Sequence, residues 1–271
     1  MEYNRNKATV DGGRLSVVPN LFTLLNLIFG CIAIVCVLQQ GLMVTMNENT
    51  GQAVISVPEK MYWASIFIGC AALIDFLDGF VARLFKATSE LGKQLDSLAD
   101  VVSFGVAPGM IVYEFLRMSF AQQENGLNIS TLWLLPAFII PAAGAYRLAR
   151  FNIDTTQSYG FKGVPIPAAG LLIASFPLIY WYTDIVFIIT LFINKWFWYA
   201  VIIVVSYLMT SSLPMLALKF KNPDKKTFLP FIILVVIAIV SAFLLGWLAV
   251  PITFAAYVII SLLFKQKQYD L

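Results

Sequence analysis

Four aspartates stand where a membrane-embedded chain should avoid charge: Asp75, Asp78, Asp96 and Asp100 lie within or at the ends of apolar runs. A charged side chain at mid-bilayer costs about 2.5–3.5 kcal/mol on insertion scales, so such residues are functional candidates by default. Glu114 is also in an apolar run, but Arg117 follows three residues later near the outer end, and the pair reads as an ordinary helix-end arrangement. At 100° per residue, with Asp75 at zero, Asp78 falls at about −60°, Ala82 at about −20°, Gly79 at about 40° and Arg83 at about 80°. That face carries two carboxylates, two of the smallest side chains and an arginine, while Leu77, Phe80, Val81 and Leu84 take the other side. Measured from Asp96, Asp100 falls at about 40°, Ser103 at about −20° and Ala107 at about 20°. The connection between the two segments is short and contains Gly92, which makes them antiparallel neighbours with four carboxylates converging. Unneutralised, those charges repel strongly at low dielectric. A hard divalent cation bound through oxygen resolves the repulsion, and an all-aspartate set suits Mg²⁺ or Mn²⁺. Arg83 is then free to grip a phosphate. The combination points to phosphoryl chemistry, for which a nucleotide diphosphate is a fitting substrate.

The elements that must position these residues are set by composition. Of 271 residues, 60% are hydrophobic and 12% charged, and the mean hydropathy is +0.83. Soluble domains carry about 25% charged residues, so the expected fold is all-α: a polytopic membrane bundle. Spans are expected near 18–40, 61–84, 95–118, 131–151, 165–183, 196–218, 228–248 and 250–264, about eight in all. The run 184–194 is either an extension of the fifth span or an interfacial segment. All 18 basic residues except Lys60, Arg117 and Lys195 fall at the N-terminus, after the even-numbered spans or at the C-terminus. This bias places both termini in the cytoplasm. The division is an N-terminal arm over 1–17, a membrane domain over 18–264 and a tail over 265–271. The first span lacks a cleavage-site pattern and is expected to be retained. A net charge of +3 with no interleaving of basic and aromatic residues argues against a nucleic-acid partner. Cys31, Cys36 and Cys70 lie in apolar runs without metal-ligand spacing, and the absence of histidine leaves a carboxylate as the natural general base.

Read as one string, the segment is Asp75-x2-Asp78-Gly79-x2-Ala82-Arg83-x8-Gly92-x3-Asp96-x3-Asp100. It resembles the signature of the CDP-alcohol phosphotransferase family at every fixed position. Val18-Pro19-Asn20-Leu21-Phe22-Thr23 through Asn26 and Gly30 narrow the likeness, as do the stretch from Asp96 to Gly105, Arg147 to Asn152, and Gly163 to Ala169. These are similar to the bacterial and archaeal phosphatidylserine synthase branch. Phosphatidylglycerophosphate synthases tend instead to carry proline and lysine where Ser97 and Val101 stand. The resemblance covers roughly 18–170, and it implies a homodimeric enzyme of a prokaryotic cytoplasmic membrane with its site facing the cytoplasm. It implies that CDP-diacylglycerol and L-serine are the substrates and that a divalent metal sits on Asp75, Asp78 and Asp96. Asp100 would complete that site and act as base, and Gly79, Ala82, Arg83 and Gly92 would contact the CDP-lipid.

Other residues keep two readings. Asn20, Thr23 and Asn26 form a polar line along the first span that could bind the nucleotide, as assigned here to Asn20 and Thr23, or bond to a neighbouring helix. Arg147 and Arg150, with Ser103, are candidates for holding serine or phosphate, although arginines at a span end also reach lipid phosphate. Pro165 and Pro167, and Pro108 with Gly105 and Gly109, either shape a cleft or permit close packing. Lys219, Lys221, Lys225 and Lys226 read as a stripe attracted to anionic lipid. Two rival functions stand beside serine transfer. One is the same chemistry with glycerol 3-phosphate or an inositol phosphate as acceptor. The other is cation or proton transport, which would need ionisable groups continuing outward, where only Glu114 and Arg117 stand.

Overall fold

Long apolar runs with few breakers have one way to satisfy their backbone in lipid, which is to become helices. The computed structural model describes residues 17–39, 41–46, 53–84, 89–123, 126–153, 161–216 and 225–264. The tail 265–271, all but the last residue of the arm 1–17, and Lys86, Lys219 and Lys221 lie outside the described residues, as do the side chains of Lys225 and Lys226. Helix α1 (Val17–Leu38) leads through a hairpin of β1 (Met43–Met46) and β2 (Ala53–Ser56), paired antiparallel with Met43 opposite Ser56. Helix α2 (Tyr62–Leu84) returns along α1, the most extensive helix pair of the fold.

Helix α3 (Glu90–Asp100) starts at Ser89, whose hydroxyl accepts from the Gly92 amide at 3.0 Å, with Glu90 in the first turn. Both features favour a helix N-terminus. A π-helical turn over Val101–Val106 joins α3 to α4 (Ala107–Ala121). Pro108 explains its position: proline cannot donate to a carbonyl one turn back and its ring crowds that carbonyl, and the wider turn relieves both. The expected span 95–118 is therefore a longer interrupted helix, Glu90–Ala121.

The region expected as a fourth helix begins instead as two short 3-10 turns, Thr131–Trp133 and Leu135–Phe138, before α5 (Ile139–Ile153). Strand β3 (Phe161–Lys162) pairs with β4 (Pro214–Met215), and α6 (Ile166–Tyr182) lies between them in sequence. The run 184–194 forms its own helix, α7 (Val186–Ile193), bent by 80° from α8 (Lys195–Thr210). Asn194 sits at the break in an extended conformation and caps α8 through the Trp196 amide at 2.9 Å. Helices α9 (Lys225–Leu245) and α10 (Ala249–Leu263) pack on one another across a 3-10 turn in which Gly246 takes φ +55°.

Among the described residues, five helices are long and apolar enough to cross a membrane, or six if the bent pair α7–α8 is one span. The fifth of these, Leu229–Leu263, has 35 residues. At about 1.5 Å per residue that exceeds the roughly 30 Å hydrocarbon core, and the left-handed Gly246 interrupts it near the middle.

The π turn is the hub, touching α1, α3, α4, α5 and α6. Two glycines permit this. A side chain at Gly30 would collide with Ser103, and one at Gly170 would come within 2.9 Å of the Phe104 backbone. Small residues that let backbones approach are how helices associate where lipid removes the hydrophobic incentive. The remainder of the core is aromatic. Phe115 stacks on Trp198 at 4.5 Å between ring centres, with Phe176 and Phe192 packed around them.

Candidate functional site

The antiparallel arrangement of α2 and α3 brings three carboxylates together. One oxygen from each of Asp75, Asp96 and Asp100 lies within 4.8 Å of the others. Asp75 and Asp96 are in hydrogen-bonding range of each other, and Asp100 is in the repulsive field of both. Opposite ligands on Mg²⁺ at about 2.1 Å stand about 4.2 Å apart, so the trio has a spacing and an all-oxygen donor set suited to a small divalent cation.

The fourth aspartate, Asp78, lies in the field of Asp75 and Asp96 and also has a partner on α1. Asp78 is buried and accepts a short hydrogen bond from Thr23 Oγ1, which also lies 3.2 Å from the Pro19 carbonyl. A hydroxyl has one proton, so these two acceptors compete for it. Thr23, expected to touch the nucleotide, thus has a structural partner on α2. Asn20 and Gly92, expected at the same ligand, are brought together: a Cβ at Gly92 would lie 2.9 Å from Asn20 Oδ1. Among the described residues, nothing outside its own helix backbone lies within 4 Å of where a Cβ on Gly79 would stand. The side chains of Ala82 and Arg83 lie outside the described residues, although both positions belong to α2.

Asn26 reaches the site from the same α1 line. Its Nδ2 donates to Asp100 Oδ1 over a long 3.5 Å, and its Oδ1 is buried without a hydrogen-bond partner among the described residues. Ser103, a candidate for holding serine or phosphate, is fully buried in the π turn and donates to the Asn26 carbonyl at 3.0 Å. It sits in the seam between α1 and the π turn.

The two arginines part company. Arg147 is 8% exposed, stands in the field of Asp100 and near Tyr257, and its Nε has no hydrogen-bond partner among the described residues. Its Cζ stands 6.0 Å from the Phe151 ring centre. Arg150 turns away, donating from Nη1 to the Thr210 carbonyl at 3.3 Å and lining a pocket of ≈ 360 Å³ with Tyr146, Ala149 and Ile153. Desolvating an arginine without satisfying its donors is costly, so Arg147 has the properties of a group awaiting an anion. Tyr257 escaped the sequence reading because α10 carries no polar pattern. Its hydroxyl reaches the Leu216 carbonyl at 3.4 Å. Asn26 was readable from its three-residue spacing to Thr23, but not as a partner of Asp100.

The CDP-alcohol phosphatidyltransferase family pattern matches residues 16–196, well over half of the chain. The CDP-diacylglycerol–serine O-phosphatidyltransferase of Helicobacter pylori (strain J99) is 37% identical over 161 residues, 59% of this chain and 56% of that protein. The archaetidylserine synthase of Methanothermobacter thermautotrophicus is 36% identical over 144 residues, 52% of this chain and 58% of that protein. The CDP-diacylglycerol–serine O-phosphatidyltransferase of Saccharomyces cerevisiae is 34% identical over 181 residues, 62% and 57% of the two chains. The chain thus spans a little over half the length of these relatives. All four aspartates of the signature and the helices that carry them lie inside the matched region, and the chain belongs to the CDP-alcohol phosphatidyltransferase family.

Proposed function

We propose that this protein transfers a phosphatidyl group from CDP-diacylglycerol to the hydroxyl of L-serine and releases CMP. The observation that carries the reading is the carboxylate trio of Asp75, Asp96 and Asp100 beside a buried arginine with a donor to spare. A divalent cation, Mg²⁺ or Mn²⁺, would be held by these aspartates with Asp78, and would supply charge neutralisation for the diphosphate. Asp100 accepts the serine hydroxyl proton as that oxygen bonds to the lipid-side phosphorus. The bond from phosphorus to the bridging oxygen breaks, and the electron pair leaves with CMP. Asn26 orients Asp100 through its amide, and Arg147 holds the serine carboxylate. Gly79 leaves room for the CDP moiety against α2, with Ala82 and Arg83 following on the same helix, and Asn20 and Gly92 bound the other side. Arg150 is a second candidate for the acceptor's anionic group.

The names of the relatives favour serine as the acceptor. The family likeness supports a homodimer. The alternation of basic residues along the chain supports eight crossings with both termini and the site on the cytoplasmic side of a prokaryotic membrane, and the break at Gly246 fits a division of the last apolar stretch into two.

The test is CMP release by purified protein in detergent with CDP-diacylglycerol and Mg²⁺ or Mn²⁺, offering serine, glycerol 3-phosphate and inositol phosphate separately. Release with serine alone is expected. Release with only another acceptor would retain the transferase chemistry and refute serine, and no release with any of them would refute the reading.

A further inference from the structure

One polar bridge near the site is not used by this mechanism. Asn152, in the last turn of α5, donates from Nδ2 to Ser97 Oγ on α3 at 2.9 Å. Ser97 Oγ also lies 3.2 Å from the carbonyl of Lys93, four residues back. That carbonyl can only accept, so the single hydroxyl proton of Ser97 goes to Lys93 and a lone pair is left for Asn152. The bridge therefore has a definite direction, with the amide NH₂ of Asn152 toward Ser97.

Its location is informative. Ser97 stands between Asp96 and Asp100, and Asn152 stands five residues beyond Arg147. Helix α5 already packs against the π turn that follows Asp100. The bridge adds a second attachment between α5 and the preceding α3, and both side chains are half-buried, away from full competition with water. Two points of attachment fix the separation between the carboxylates on α3 and the guanidinium on α5.

We propose that the Ser97–Asn152 pair positions the acceptor half of the site, holding Asp100 and Arg147 at the spacing that one small amino acid can span. This rests on the reading of serine as acceptor. In serine only Cβ and Cα separate the hydroxyl from the carboxylate, so the molecule cannot stretch to follow a widened gap. A misplacement of about 1 Å can cost about a hundredfold in rate. The CDP-lipid is held chiefly by α2 and α3 and does not depend on the gap to α5.

Steady-state kinetics of Ser97→Ala, Asn152→Ala, the double variant and Ser97→Thr test this, with serine and CDP-diacylglycerol varied separately and folding checked by gel filtration and thermal melting. Each single alanine variant is expected to raise the serine KM about tenfold, the loss of one useful hydrogen bond. The KM for CDP-diacylglycerol should stay within about twofold. The double variant should be no worse than the worse single one, and Ser97→Thr, which keeps the hydroxyl, should behave as wild type. If Asn152→Ala does not fold, Ser97→Ala removes the same bond by deleting one oxygen atom. An unchanged serine KM in folded Ser97→Ala, equal rises in both KM values, or single effects that multiply in the double variant would each overturn the proposal while wild-type protein still releases CMP with serine. Wild-type protein without serine-dependent release would overturn the acceptor reading and this proposal with it.

Discussion

The two halves of the span Glu90–Ala121 have opposite designs. The second half, α4, is a finished core. Phe115 packs on Trp198 and Phe192, and the Ser119 hydroxyl reaches the carbonyls of Phe115 and Phe192 at 2.9 and 3.1 Å. The Trp198 indole donates to the Phe192 carbonyl at 2.7 Å, and Glu114 pairs with Arg117 at 3.3 Å. Among the described residues, no buried side-chain polar atom in α4 lacks a partner. The first half, α3 with the π turn, gathers carboxylates that repel one another, and the groups beside it, Asn26 Oδ1 and Arg147 Nε, have no hydrogen-bond partner among the described residues. Buried polar groups are normally satisfied, and each exception needs a reason. Two of the exceptions, Asn26 Oδ1 and Arg147 Nε, flank Asp100, where a ligand that completes them is that reason; Ser65 Oγ on α2, Trp181 Nε1 on α6 and Ser206 Oγ on α8 are likewise without a partner among the described residues. One half is built to hold the fold and the other to hold something else.

If this division is right, substitutions in the two halves should fail in different ways. The largest effect is expected for Asp100→Asn, which should lower turnover by about a hundredfold to ten-thousandfold, as loss of a general base does, while CDP-diacylglycerol binding persists. Asp75→Asn should lose Mn²⁺ and CDP-diacylglycerol binding together. Calorimetric titration of each variant distinguishes the two, and loss of lipid binding in Asp100→Asn would contradict its role as base. Against the other half, Trp198→Ala on α8, which removes the ring stacked on Phe115, should cost about 3–5 kcal/mol of stability through the cavity it leaves, read as a lowered midpoint in a denaturant titration. The folded fraction should keep a near-normal KM for both substrates, and a selective change in either KM would dissolve the division.

Arg147→Ala should raise the serine KM about tenfold to a hundredfold, since hydrogen bonds to charged groups contribute about 1.5–3 kcal/mol. Arg147→Lys should recover part of this, because a lysine keeps the charge and loses the planar fork. Equal KM values for Arg147→Ala and wild type would remove the arginine from the acceptor site. The smallest effect is expected for Arg117→Lys. The Arg117 side chain is 43% exposed while its partner Glu114 is buried, so removing the charge would strand a buried carboxylate, whereas lysine keeps the pair and a thermal melt should move little and turnover not at all.

Much of the site was legible because its chemistry is local. The aspartates recur at helical spacing on two adjoining segments, and a wheel suffices to bring Asp75, Asp96 and Asp100 to one place. The wheel loses its validity after Asp100, because the π turn changes the residues per turn. Ser103, placed by a straight helix near the acids, instead bonds the Asn26 carbonyl. Asp78 shares the helical face of Asp75, but the wheel does not show that Thr23 on α1, 55 residues away in sequence, donates to its carboxylate. Tyr257 is further still from the motif, on a helix whose composition reads only as apolar. The membrane character and the helical class followed from composition. The 80° bend at Asn194 did not, because an apolar run of that length fits a straight extension of α6 as well as a separate helix. Long-range pairing and backbone irregularity are set by tertiary packing, and local pattern carries little of either.

Metal-dependent phosphatidyl transfer to serine is the proposed work of the unsatisfied half of this span. Incorporation of labelled serine into lipid by the purified protein is the decisive experiment, with CDP-diacylglycerol present and Mn²⁺ either supplied or removed by chelator. Lipid-soluble label is expected only when CDP-diacylglycerol and metal are both present, with one CMP released for each serine incorporated. Label that forms equally well in chelator, or CMP released without label entering lipid, would contradict it.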